Sequence, residues 1–216
     1  VKITTLVATV VAVGLLSACG GDNGSSDDRT ERRADASDSA EPTTEPPTSE
    51  PPITELPAGD GSTITGKGYS FTAPGGWSDQ TAHFKRVQPA VDKAAAEPRP
   101  KEGFANNVNV LVVPAGPDAG KSLDELAPAL RSGLSQFAND VKVLPRTELD
   151  GIEAHRQAGR ATLFKNEVAV EQIAVIVGDE LYNITVTMRM STPAAERKAA
   201  ADAVIASWRW RDPPTV

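Results

Sequence analysis

LDGIEAHRQAGRATLFKNEVAVEQIAVIVGDELYNITVTMRM, residues 149–190, is the stretch whose reading decides the fold. Runs rich in β-branched residues are cut by three turn signals. Asp150-Gly151 is the favoured two-residue hairpin turn. Lys165-Asn166 and Gly178-Asp179 mark two more. The runs between them predict strands over 152–164, 167–177 and 181–190, and a further strand over 141–149, interrupted by Pro145, leads into the first turn. Turns this short join only antiparallel neighbours. In the last run Tyr182, Ile184, Val186, Met188 and Met190 fall on one face. Leu181, Asn183, Thr185, Thr187 and Arg189 fall on the other, which is more polar.

Two helices flank this meander. Ser122 with Glu125 forms a capping box. Leu123, Leu126, Ala127, Leu130, Leu134 and Phe137 follow at helical spacing, and Pro128 predicts a kink or a later start. After the meander, Thr192 is placed to cap a helix with Pro193 at its first position. Its apolar stripe is Ala194, Ala201, Val204, Ile205 and Trp208. Both helices are expected on the apolar face of the sheet. Trp208-Arg209-Trp210-Arg211 alternates and predicts a short last strand. Upstream, Tyr69 to Ala73 reads as a strand closed by Pro74-Gly75-Gly76, with Trp77 next. Residues 83–91 read as a strand or as the start of a helix. Residues 94–103 read as an exposed loop, and 107–113 as a buried strand. The whole is a single α+β domain over 62–216.

The N-terminal part has a different character. Lys2 precedes an apolar run from Ile3 to Leu16, and Val1 reads as a GTG start codon taken literally. The run is short for a membrane span, which needs about 20 residues, and suits a signal peptide. Leu16-Ser17-Ala18-Cys19 follows, and Cys19 is the single cysteine of the chain. The tetrapeptide resembles the lipobox of bacterial prolipoproteins. There the cysteine thiol forms a thioether to diacylglycerol and the preceding bond is cut. Residues 1–18 are therefore expected to be a signal peptide and Cys19 the lipidation site, since two acyl chains give stable rather than fleeting attachment. Residues 19–61 are rich in Asp, Glu, Ser, Thr, Pro and Gly and are expected to be a disordered acidic tether. Residues 22–60 carry 11 acids and 3 bases, whereas 61–216 carry 18 of each, so the acidity belongs to the tether. A flexible chain of this length reaches about 30–40 Å.

Several chemistries are excluded on these grounds. A neutral domain behind an acidic tether does not suit nucleic acid. One cysteine and two histidines do not make a zinc site. Ala115 to Ser122, AGPDAGKS, imitates a nucleotide loop, but Pro117 lacks a backbone N–H that such a loop needs, and hairpin topology offers no parallel sheet. No Gly-x-Ser-x-Gly elbow accompanies His83 or His155. No catalytic residue, no metal ligand, no cofactor and no nucleotide are expected. The pair Asn106-Asn107 is suited either to orient a ligand or to cap the strand it precedes. Trp77 and Trp210 would frame a groove at a sheet edge or lie in the core.

The order Tyr69-x-Phe71-x-x-Pro74-x-Gly76-Trp77, Asn107-Val108-Asn109-Val110, Leu149-Asp150-Gly151, Gln172 and Tyr182-x-Ile184-Thr185-x-Thr187, closed by an amphipathic helix, is similar to the LpqN-type lipoproteins of actinobacteria. It spans residues 66–211, with 90–103 resembling an insertion. The resemblance implies a PsbP-like fold, an αβα sandwich around a mostly antiparallel sheet. It also implies an envelope lipoprotein without an assigned catalytic site. The expected function is a non-catalytic binding or accessory module, lipid-anchored on the extracytoplasmic face of the cell membrane and engaging an envelope protein. The alternative is a carrier or sensor of a lipid or hydrophobic small molecule, using a pocket beside the apolar strand face. Trp77, Asn107, Tyr182 and Trp210 are the candidate binding surface.

Overall fold

The computed structural model describes residues 61–101 and 103–211. Residues 1–18, read as a signal peptide with Leu16, Ser17 and Ala18 in a lipobox, Cys19, and residues 20–60, read as a tether, lie outside the described residues.

Seven strands make an antiparallel sheet. They are β3 (Ser78–Asp79), β4 (Val91–Ala96), β5 (Asn107–Pro114), β6 (Asn139–Leu149), β7 (Ile152–Leu163), β8 (Asn166–Val177) and β9 (Glu180–Arg189), in the order β3-β4-β5-β9-β8-β7-β6. The meander β6 to β9 follows the sequence signals. Gly151 takes the positive φ of its turn. Pro145 is tolerated because β6 is an edge strand and its register shifts between Leu144 and Thr147. One turn is displaced by a residue. Phe164 and Lys165 both adopt positive φ, and Asn166 already pairs with Leu163. A second, three-stranded sheet, order β1-β2-β10, joins β1 (Thr63–Thr65), β2 (Tyr69–Thr72) and β10 (Arg209–Trp210).

The helices do not share one face, contrary to the sequence expectation. α3 (Ala194–Ser207) lies on the apolar face, where Asp202 pairs with Arg156 of β7. α2 (Leu123–Ser135) lies on the other face, where the backbone carbonyl of Leu130 accepts from Gln157 Nε2 at 2.9 Å. Both faces are therefore covered, and the α+β sandwich is established by this geometry. The capping box of α2 forms as read, with Ser122 and Glu125 exchanging hydrogen bonds, and Pro128 sits inside the helix on its exposed side. For α3 the boundary moves. Pro193 is the N-cap, and Thr192 uses its hydroxyl to accept from Asn106 instead. The undecided segment 83–91 resolves into α1 (Thr81–Val87), followed by β4 from Val91. Ala94, Ala95 and Ala96 are buried in β4 rather than exposed in a loop.

The apolar face carries one continuous core. Val108, Val110, Ile173, Val175, Ile184, Val186 and Met188 from the large sheet meet Tyr69, Phe71, Trp208 and Trp210 from the small one. Tyr69 stacks on Trp208 with ring centroids 4.4 Å apart. Burial of this kind is what stabilises a domain of this size. The core also holds charge at its margin. Arg156 Nε donates to Glu171 at 2.6 Å and Arg156 Nη2 donates to Asp202 at 3.1 Å, while Lys198 also pairs with Asp202.

Candidate functional site

The described side chains of the predicted binding surface separate. Trp77, Tyr182 and Trp210 are all in the apolar core, exposed by 7%, 5% and 9%. Trp77 and Trp210 frame no groove at the sheet edge: Trp210 packs edge-on against Trp208 and Tyr182, and its indole N–H donates to the Leu149 carbonyl at 2.8 Å. An aromatic ring buys more by excluding water here than by waiting for a ligand. The Tyr182 hydroxyl is pushed up to about 12 by burial and by its bond to Glu180. Asn107 alone lies on the other face.

That face is built differently. Three small apolar clusters replace a single core. Phe84 of α1 packs on Ala94, Ala96 and Leu111. Leu134 of α2 packs with Phe104, Val168 and Val170. Leu126 and Leu130 of α2 pack on Ala174 and Leu181. Between them lies an island of uncharged polar side chains. Asn109 of β5, Thr185 of β9, Gln172 of β8 and Gln157 of β7 are direct cross-strand partners, a polar row across four strands. Asn107 stands opposite Thr187, and Asn183 opposite Leu111. All seven polar residues are buried.

Part of the island is satisfied internally. Gln157 Nε2 donates to Gln172 Oε1 at 3.0 Å, and the buried His155 ring sits 3.3 Å from Gln157 Oε1. Asn107 Nδ2 donates to the Ala105 carbonyl at 3.0 Å. Four atoms on β5 and β9 are buried with no hydrogen-bond partner: Asn107 Oδ1, Asn109 Oδ1 and Nδ2, and Asn183 Oδ1. Leaving such an atom unpaired costs about 1–3 kcal/mol, and the Tyr69 hydroxyl and Trp208 indole N–H are buried without a partner in the apolar core as well. The sequence reading included Asn107 and passed over Asn109 and Asn183. The signal was the alternation of Asn with Val in β5 opposite alternating Asn and Thr in β9.

Asn106 is structural. Its amide N–H donates to Glu97 Oε1 and Thr192 Oγ1, and its oxygen accepts from the Arg189 N–H at 2.8 Å. Arg189 in turn donates to Glu97 at 3.0 Å and to the Phe104 carbonyl at 2.6 Å. The connection between β4 and β5 is thus tied to the end of β9. His83 lies on α1 beside Arg86 and Phe84, while His155 is on β7. The loop that imitates a nucleotide site is a 3-10 turn at Gly116–Asp118 with Lys121 paired to Asp118. Among the described residues no group of three His, Cys, Asp or Glu is placed to hold a metal ion.

Among known proteins, no family model matches the chain, and no curated protein matches it. Its structural neighbours include LpqN and PsbP-like folds. The LpqN structure of Mycobacterium tuberculosis, a protein involved in cell envelope biogenesis, is 10% identical with a TM-score of 0.44, covering 69% of this chain and 84% of that one. The cyanobacterial PsbP of Synechocystis is 16% identical with a TM-score of 0.43, covering 66% and 86%. A protein of Bacteroides thetaiotaomicron is 13% identical with a TM-score of 0.47, covering 70% of this chain and 49% of that one, so the chain spans about half its length. Likenesses of this size assign neither family nor function.

Proposed function

We propose that this protein is a lipid-anchored binding module without a catalytic role, held on the extracytoplasmic face of the cell membrane by diacylglycerol on Cys19 and engaging an envelope protein. The observation that carries the address is Leu16-Ser17-Ala18-Cys19 behind an apolar run, with the only cysteine of the chain at the modified position. The acidic residues 22–60 and the neutral domain behind them support a spacer that lifts the domain off the lipid surface. A protein partner is favoured over a hydrophobic ligand by the packing. The apolar strand face, where a lipid pocket was expected, is filled by Tyr69, Phe71, Trp208 and Trp210. The clefts that remain, about 180 Å³ at Glu171, Met188 and Lys198, about 450 Å³ at Lys142, Arg160 and Arg197, and about 490 Å³ at Asp124, Pro128 and Arg131, are each bordered by charged side chains, which does not suit a lipid chain.

The test is expression of the full chain in an actinobacterial host, with detergent phase partition and the mass of the N-terminal peptide. The wild type is expected in the detergent phase, beginning at a lipidated Cys19. Cys19→Ser is expected to accumulate as uncleaved, unlipidated precursor. A lipidated Cys19→Ser protein, or a wild type with a free thiol, contradicts the address.

A further inference from the structure

A cleft of about 450 Å³ lies on the apolar face of the large sheet, beside the first turn of α3. Small residues give it depth. Ala158 of β7 and Ala169 of β8 end at Cβ, while their neighbours Leu144 and Met190 are longer. Its charge comes from Lys142 of β6, Arg160 of β7 and Arg197 of α3. Against these stands one acid, Asp140, so three cations less one acid leave a net of +2. Among the described residues no carboxylate pairs with any of the three cations. The side chains of Lys142 and Arg160 are exposed and make no hydrogen bond there, and the Arg197 guanidinium donates only to the backbone carbonyls of Met190 and Thr192. The acids next to the cleft do not neutralise it, because Glu171 and Asp202 are taken by Arg156 and Lys198. A guanidinium fixed by neutral carbonyls is a ready partner for a carboxylate.

The register sets the spacing of the charges. Lys142 stands opposite Ala158, and Arg160 lies two residues farther along β7, so the two cations are diagonal neighbours about 7–8 Å apart. Alternate side chains of an extended segment repeat at about 6.6–6.8 Å. Two carboxylates two residues apart therefore match both cations, whereas a phosphate concentrates the same charge on one centre. β6 is also an edge strand, bulged between Asn139 and Lys142, so no further strand bars an approach from that side. From this cleft we infer that the module receives an extended acidic segment of its partner protein, with carboxylates two residues apart bound by Lys142 and Arg160 and with Arg197 as a third, fixed donor. The inference rests on the binding-module reading and names the surface and the partner chemistry. No element has to move for the segment to enter.

The test uses the full-length protein at low salt and fluorescent seven-residue serine–alanine peptides carrying two glutamates, adjacent or two, three or four residues apart. Fluorescence anisotropy is expected to rank the two-residue spacing first, about threefold or more ahead of the adjacent pair. The double variant Lys142→Gln, Arg160→Gln is expected to weaken that peptide about tenfold. Its melting temperature is expected to stay unchanged, since neither side chain has a partner to lose. Ala169→Leu keeps the charge and fills the floor, and is expected to weaken binding as much, which a general electrostatic attraction would not do. Equal binding at every spacing, or a double variant that binds as the wild type does, overturns the cleft while leaving the binding module standing. Inorganic phosphate or phosphatidylglycerol vesicles bound through the same two cations, with no peptide bound, overturn the peptide as occupant. A wild type that binds the spaced peptide yet crosslinks to no protein in intact cells contradicts the binding module instead.

Discussion

Replacing Arg156 by Met tests the electrostatics under α3. Arg156 sits between two carboxylates, 2.6 Å from Glu171 and 3.1 Å from Asp202, and the side chains are 17%, 19% and 4% exposed. Burial opposes the charge of Arg156, but both carboxylates outweigh it and hold the guanidinium above its ordinary range. Burial also raises Glu171, and Arg156 offsets part of that. Met keeps the length and the apolar stem while leaving two buried carboxylates to face each other. Breaking a buried pair in this way costs about 3–5 kcal/mol. Lys198 still reaches Asp202, so the lower end applies. At roughly 2–4 °C per kcal/mol for a domain of this size, about 3 kcal/mol corresponds to a fall in Tm of ~6–12 °C.

The pH dependence supplies the sign. Glu171 has a folded pKa above its unfolded value, so over the interval between them the native state binds more protons than the unfolded chain. Stability then declines as pH rises through that interval. Without Arg156 the interval widens, so the penalty of the substitution is largest at pH 7 and shrinks toward the ordinary carboxyl range. Thermal unfolding followed by circular dichroism at pH 7 and near pH 4.5 reads both quantities. A penalty below about 1 kcal/mol at pH 7, or one that grows on acidification, refutes the reasoning.

Two further substitutions probe local geometry. A Cβ on Gly66 would meet Tyr69 Cζ at 2.2 Å and Asp92 Oδ2 at 2.5 Å, so Gly66→Ala is expected to destabilise by about 1–3 kcal/mol in chemical denaturation. An unchanged midpoint would show that the β1–β2 turn has room. At the β7–β8 turn, Phe164 and Lys165 hold φ of 50° and 67°. The pair Phe164→Asn and Lys165→Gly fits the turn that these angles require and is expected to stabilise by about 0.5–1 kcal/mol. A lower Tm for that double variant would contradict the turn assignment.

Much of the fold was legible because the meander announces its own turns. Asp150-Gly151 and the Gly178 turn fix the hairpins, and alternation in 181–190 fixes the register. The turn at Phe164-Lys165 was set one residue late because neither residue is a customary turn former, whereas Asn166 is. β4 was hidden because three alanines next to a Pro- and charge-rich loop carry no strand signature, and burial alone holds them there. The placement of α2 was not legible because the more polar face of an antiparallel sheet is commonly the solvated one. Asn183, Thr185 and Thr187 are buried instead, under a second layer. Aromatic residues are frequent anchors of binding surfaces, yet Trp77 and Trp210 serve the core. The unpaired amides of Asn109 and Asn183 become visible only when cross-strand register shows what each one faces.

The proposed role, engagement of an envelope protein, is measured directly by photo-crosslinking in intact cells, with benzoylphenylalanine placed in the full-length protein at Val87 on α1 or at Phe164 on the β7–β8 turn, both exposed. A discrete protein adduct from one of the two positions is the predicted result. No protein adduct from either contradicts it.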